Sequence, residues 1–138
     1  MAAALILDSE AVNSLARSTE RGVSAERARA ILATACERRA LVRVPSPVLA
    51  EVCRGSRSDA AINRLLLGKG IVVCDLTRAI TQRAGEILQK AKLSSQHAID
   101  AFVVASALEY DNAVIATGDE DAIRRLAAPY RSIRVFRI

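Results

Sequence analysis

Ala4-Leu5-Ile6-Leu7-Asp8 is a continuous apolar run that ends on an acid, and the chain repeats the device at Ala113-Val114-Ile115-Ala116-Thr117-Gly118-Asp119. Short apolar runs without polar alternation read as strands covered on both faces, which is the mark of a parallel sheet in an α/β protein. Leu41-Val42-Arg43-Val44, ended by Pro45, reads as a second strand, Ile71-Val72-Val73-Cys74 as a third, and Ile133–Phe136 as the last. Helical patterning fills the gaps. It spans about 10–18, about 24–38 with Ser24 as N-cap, and a short stretch opened by Ser46-Pro47 and running to about Cys53. A turn at Arg54–Ser58 precedes a helix ending near Leu67, Thr77 caps a long helix to about Lys90, and further helices cover Ala98–Tyr110 and Asp119–Leu126. The alternation predicts a three-layer α/β sandwich with a mostly parallel central sheet flanked by helices. No linker, repeat or low-complexity segment divides the chain, so residues 1–138 are expected to form one domain.

Composition narrows the class. With 51% hydrophobic and 25% charged residues the chain is globular rather than disordered. No apolar stretch approaches the roughly 20 residues of a membrane span, and the first eight residues lack a basic segment and reach a charge too early for a signal peptide. The expectation is a cytoplasmic protein with no membrane partner. Cys36, Cys53 and Cys74 are odd in number and far apart, which predicts buried free thiols rather than a disulfide or zinc site. The net charge is +5 and arginine far outnumbers lysine. A basic, arginine-rich surface suits a phosphate-bearing partner, although a GC-rich coding sequence produces the same bias.

Four acids stand against apolar surroundings. Asp8 and Asp119 each follow an apolar strand, and so project from the carboxyl edge of the sheet, where open α/β sheets bind ligands. Asp100 lies inside Ala98-Ile99-Asp100-Ala101-Phe102-Val103-Val104-Ala105 and shares a helical face with Val103, Val104 and Ala107, so it points inward. An isolated ionised carboxylate there costs several kcal/mol and calls for a raised pKa, an arginine or a metal. Glu51 borders the stripe Val48-Leu49-Val52 of the short helix and can reach the same edge. Each acid has a plainer reading as well. Asp8 can cap the first helix, Glu51 can be a solvated helix residue, and Asp119 with Glu120 and Asp121 can be acidic decoration of a helix start. Taken together, the four favour a hard-cation site. All-oxygen ligation suits Mg²⁺ or Mn²⁺, which can activate water and stabilise the leaving oxygen of a phosphodiester. His97, the only histidine, reads as a structural or solvent-facing residue at a helix start. No Ser-His-Asp arrangement, P-loop or dinucleotide fingerprint occurs.

The segments Leu5-Ile6-Leu7-Asp8-Ser9, Val48-Leu49-Ala50-Glu51-Val52, Arg83-Ala84-Gly85, His97-Ala98-Ile99-Asp100-Ala101 and Ala116-Thr117-Gly118-Asp119-Glu120-Asp121 stand in the order and approximate spacing of a PIN domain. Over nearly its full length the chain resembles a bacterial VapC-type toxin of a type II toxin-antitoxin system. The resemblance implies a PIN-like fold and a Mg²⁺- or Mn²⁺-dependent endoribonuclease with Asp8, Glu51, Asp100 and Asp119 as catalytic and metal-holding acids. Asp121 would be an extra metal carboxylate, and Ser9 and Thr117 hydroxyl residues that contact substrate. It further implies an RNA substrate, a homodimer, and a small VapB-type antitoxin whose C-terminal segment lies along the active-site groove. An antitoxin arginine would enter the acid cluster while Val12, Leu15, Ile31 and Leu32 supply the apolar part of the groove. Glu10 departs from the family pattern, which has a small or neutral polar residue there, and either adds charge near the metals or only starts the first helix. Aromatics make up just 3% of the chain, so recognition is expected to rest on phosphates, arginines and the shape of a structured RNA such as a tRNA loop. Two other readings compete. One is an aspartyl-phosphate domain accepting on Asp8 or Asp75, disfavoured because no lysine follows Lys92. The other is a binding module that kept the fold and lost catalysis.

Overall fold

A computed structural model describes residues 3–17, 22–68 and 70–138. Five strands form one sheet: β1 (Ala4–Leu7), β2 (Leu41–Pro45), β3 (Ile71–Cys74), β4 (Ala113–Thr117) and β5 (Ile133–Arg137), ordered β3-β2-β1-β4-β5. All four pairings are parallel, so the mostly parallel expectation is met in full. All four residues of β1 are buried, as a central strand with helices on both faces requires.

Seven helices connect the strands: α1 (Ser9–Ala16), α2 (Val23–Glu37), α3 (Val48–Val52), α4 (Ser56–Leu66), α5 (Arg78–Ala91), α6 (Ala98–Ala107) and α7 (Glu120–Ala127). Helices α1 to α4 pack among themselves, as do α5 to α7. One group covers each face, because the chain moves outward from β1 to β3 and then crosses back to β4, and crossovers between parallel strands are right-handed. That reversal places the topological switch point at the carboxyl ends of β1 and β4, where a crevice must open. The register Leu7↔Ala116 then sets Asp8 beside Thr117 and Gly118.

Local differences from the sequence reading have local causes. Helix α2 starts at Val23 with Gly22 as N-cap and no side-chain cap, so Ser24 falls inside the first turn. Pro45 belongs to β2, opposite Cys74, at a terminal position where its missing N–H costs no interior ladder bond. Pro47 rather than Ser46 occupies the cap position of α3. Helix α6 stops at Ala107 and the chain turns through Leu108 to Tyr110. Position 18, the expected end of the first helix, lies outside the described residues. The cysteines are free, but Cys36 is exposed on the outer face of α2 and Cys53 and Cys74 are half-buried, which corrects the expectation of buried thiols. No helix among the described residues is long and apolar enough to cross a membrane.

Candidate active site

Asp8 is the fixed point of the carboxyl edge. It caps α1 by accepting from the Ala11 N–H at 2.9 Å through Oδ1, and its Oδ2 accepts from the Gly118 N–H at 3.2 Å. The Thr117 hydroxyl adds a third bond to the same carboxylate. The capping role leaves the Asp8 carboxylate at the carboxyl edge of the sheet. Asp8 is only 6% exposed, and burial raises its pKa. The three hydrogen bonds oppose that rise, and the charge of Glu10 adds to it.

Asp8, Glu51, Asp100 and Asp119 line one cavity of about 180 Å³ together with Ser9, Glu10, Ile99 and Val103. The four acids reach it from four different elements. Asp8 leaves β1, Glu51 rides on α3, Asp100 sits in the first turn of α6, and Asp119 caps α7 by accepting from the Ala122 N–H at 3.2 Å. Asp100 is half-buried, and its carboxyl is pushed up to about 6 by burial first and then by the charges of Asp8, Asp119 and Glu51, with His97 pulling the other way. Ile99 and Val103, one turn apart on α6, form the apolar wall that keeps water from relieving this repulsion.

The smaller groups divide by what they touch. Ser9 lines the cavity and donates its hydroxyl to Oε1 of Glu51, fixing an acid that is otherwise exposed. Thr117, expected to contact substrate, is fully buried: its Oγ1 accepts from the Asp119 N–H at 2.9 Å while its hydroxyl bonds Asp8. It positions two acids instead of facing a ligand. Asp121 is exposed and does not line the acid cavity. It lines a separate hollow of about 150 Å³ with Gly118, Asp119, Glu120 and Arg137, so Asp119 alone borders both. Glu10 lies in the first turn of α1 and also lines the acid cavity. Its side chain lies over Gly118 so closely that a Cβ there would overlap its carboxyl group. The sequence signal for this packing was the glycine between Thr117 and Asp119, whose absent side chain leaves room for Glu10.

The residues proposed from sequence for an apolar partner groove are placed differently. Val12, Leu15 and Leu32 are core residues and Ile31 is half-buried against them. The open space beside α1 is instead a groove of about 640 Å³ toward α4, lined by Asn13, Ala16, Ala61 and Ile62 with Arg17, Arg57 and Ser58. Asp75, the alternative phosphate acceptor, is exposed and does not line the acid cavity.

The donor chemistry suits a hard divalent cation, since every polar side chain of the cavity wall offers oxygen and neither histidine nor cysteine lines it. Among the described residues no three acidic, histidine or cysteine side chains are already grouped as a metal would hold them.

The PIN domain family model matches residues 5–129. No curated protein matches the chain. Among solved structures, a chain in the crystal structure of VapBC2 from Rickettsia felis bound to a DNA fragment from their promoter is similar, with a TM-score of 0.68, 13% sequence identity and coverage of 98% of each chain. At that identity the likeness concerns the fold. The family match over most of the sequence, on an all-parallel five-stranded sheet with acids gathered at its switch point, means that this chain belongs to the PIN domain family.

Proposed function

We propose that the chain, as a single PIN-like domain over residues 1–138, is a Mg²⁺- or Mn²⁺-dependent endoribonuclease and the toxin of a VapBC-type pair. The observation that carries this reading is the meeting of Asp8, Glu51, Asp100 and Asp119 in one cavity at the switch point, in a chain of the PIN family. These four acids would hold the cation, with Asp121 near enough to Asp119 to bind an outer water. The ion would supply charge stabilisation at the phosphate and a lowered pKa for an attacking water. The protein's own part is positional. Thr117 and the Gly118 N–H keep Asp8 in one rotamer, the Thr117 hydroxyl fixes the start of α7 and thus Asp119, and Ser9 holds Glu51. Burial raises the carboxyls of both Asp8 and Asp100, the latter to about 6 in the metal-free protein, and a bound cation would favour loss of their protons.

One solved structure with a similar fold is that of a VapBC2 complex. On that basis the partner proposed here is a small VapB-type antitoxin. Its arginine would enter the acid cavity with bidentate pairing, and an apolar segment would lie in the α1–α4 groove. A homodimer and a cytoplasmic location belong to the same proposal. The test is growth and RNA-end mapping. Expression of the chain alone slows growth and produces discrete RNA ends, co-expression of the adjacent small protein restores growth, and Asp8→Ala is harmless. Unimpaired growth at high soluble expression of the wild-type chain would favour the reading as a non-catalytic binding module.

A further inference from the structure

A positively charged surface lies at the opposite end of the sheet from the acids. A groove of about 490 Å³ between α7 and β5 is lined by Arg124, Arg131 and Arg134 with Tyr130 among its walls. A second hollow of about 400 Å³ adjoins it under the amino ends of β1, β4 and β5 and is lined by Arg131 and Arg134 again, with Arg38 and Asn112. No described acidic residue lines either space. Lys90 stands over the Tyr130 ring, 5.9 Å from its centroid, and adds positive charge behind the groove. The acids nearest in sequence are Glu120, which pairs with Arg124 at 2.7 Å, and Glu109 and Asp111, exposed in the turn before β4.

Arg124 is paired with Glu120, while Arg38, Arg131 and Arg134 surround a continuous recess with no described acidic residue in its lining, which suits a partner whose charge is negative and extended. Arginine forks match phosphate oxygens, and a run of phosphates neutralises such a surface with counterion release. We infer that this back groove is a second contact surface for RNA, gripping the phosphodiester backbone of the substrate away from the bond that is cut. The assignment of RNA rests on the nuclease reading above. Strand β5 supplies the connection between the two ends. Arg137 lines the hollow beside Asp119 at the carboxyl edge and Arg134 the groove at the amino edge, about 10 Å apart along one edge strand. The two edges of the sheet are separated by about 15 Å at roughly 3.3 Å per residue, a span of about four to five phosphates in a stacked strand, so an RNA must be longer than that to engage both. The groove thus favours RNA beyond that length without reading bases.

The experiment measures RNA binding in an Asp100→Asn background, which removes cleavage, across a salt series. The probes are a structured RNA of tRNA size, a short oligonucleotide of a few nucleotides, and a DNA duplex matched in charge. Arg131→Ala with Arg134→Ala is expected to weaken binding of the structured RNA at least tenfold at low salt. It should also reduce the slope of log affinity against log salt by about 1.5 to 2, as the loss of two phosphate contacts requires. Removing two exposed arginines from α2, Arg27→Ala with Arg29→Ala, lowers net charge equally and should move both quantities much less. Short-oligonucleotide binding should be nearly independent of the groove. Equal losses from the α2 pair, or an unchanged slope in the groove pair, would overturn the inference. Equal, groove-dependent affinity for the DNA duplex would overturn the assignment to RNA. Groove-dependent RNA binding by a wild-type chain that cuts no RNA would refute the nuclease and leave the groove standing. Cleavage unaffected by the groove pair on every RNA would do the reverse.

Discussion

Replacing Asp100 by asparagine is expected to stabilise the metal-free protein near neutral pH, an unusual outcome for loss of a site residue. Its carboxyl titrates at 3.8 when unperturbed and at about 6 in the fold. Because the folded pKa is the higher one, the folded state binds more protons than the unfolded chain between those values. Stability therefore falls as pH rises through that window, and the penalty is complete above about pH 6. The difference corresponds to about 3 kcal/mol. Asp100 is only half-buried, and solvent screening reduces the recoverable part to about 1–2 kcal/mol. For a domain of 138 residues the gain is a melting-temperature rise of about 3–8 °C at pH 7, shrinking to nothing near pH 3.5 where both states are protonated. The assay is thermal unfolding in EDTA across pH 3.5–8 for wild type and Asp100→Asn. A gain of the same size at pH 3.5 and pH 7 would show that the effect is packing rather than charge. No gain at pH 7 would mean that burial and the neighbouring acids together do not hold the Asp100 carboxyl up.

Other outcomes follow from the same cavity. In the wild type, Mg²⁺ or Mn²⁺ at about a hundredfold excess over its dissociation constant should stabilise the fold by about 2.7 kcal/mol by mass action. Asp100→Asn should lose most of that increment, as differential scanning fluorimetry can read. Thr117→Val strands the Asp119 N–H and removes a donor to Asp8, so about 1–3 kcal/mol of stability and most RNA cleavage should disappear together, with Thr117→Ser restoring both. Gly118→Ala forces its new methyl into Glu10 and should cost about 1–3 kcal/mol in denaturant unfolding. Combining it with Glu10→Ala should recover part of the loss, and failure to recover any would mean that the two residues are not in contact.

How far the chain could be read from its sequence differs between elements. The apolar runs at Ala4–Leu7, Ile71–Cys74 and Ala113–Ala116, and Leu41–Val44 broken only by Arg43, predicted strands that the structure contains, because a parallel strand covered on both faces has few polar positions to blur its pattern. Thr77 was legible as a cap, since its hydroxyl meets the Ile80 N–H at 3.1 Å within one turn. Helix ends defined by glycine or proline geometry, as at Gly22 and Pro47, were misread by one or two residues because backbone dihedrals carry no side-chain label. Cys36 shows the limit of periodicity on an alanine-rich helix such as α2, where small apolar residues occur on both faces and the pattern does not separate inside from outside.

By itself the sequence determined the α/β class, the order of strands and helices, and the acids that end β1 and β4, because each of these depends on neighbours within about five residues. Only the tertiary structure decided the rest. Asp8 and Gly118 are 110 positions apart in the chain and share a hydrogen bond solely because β1 and β4 pair in one register. The same pairing buried Thr117, turning a hydroxyl that reads as a substrate contact into a support for Asp8 and Asp119. It left Asp121 outside the cavity, brought Glu10 over Gly118, and gathered arginines from α2, α7 and β5 at the far edge of the sheet. Strand order and register are long-range pairings set by how hydrophobic faces fit across the whole core, and no local pattern encodes them.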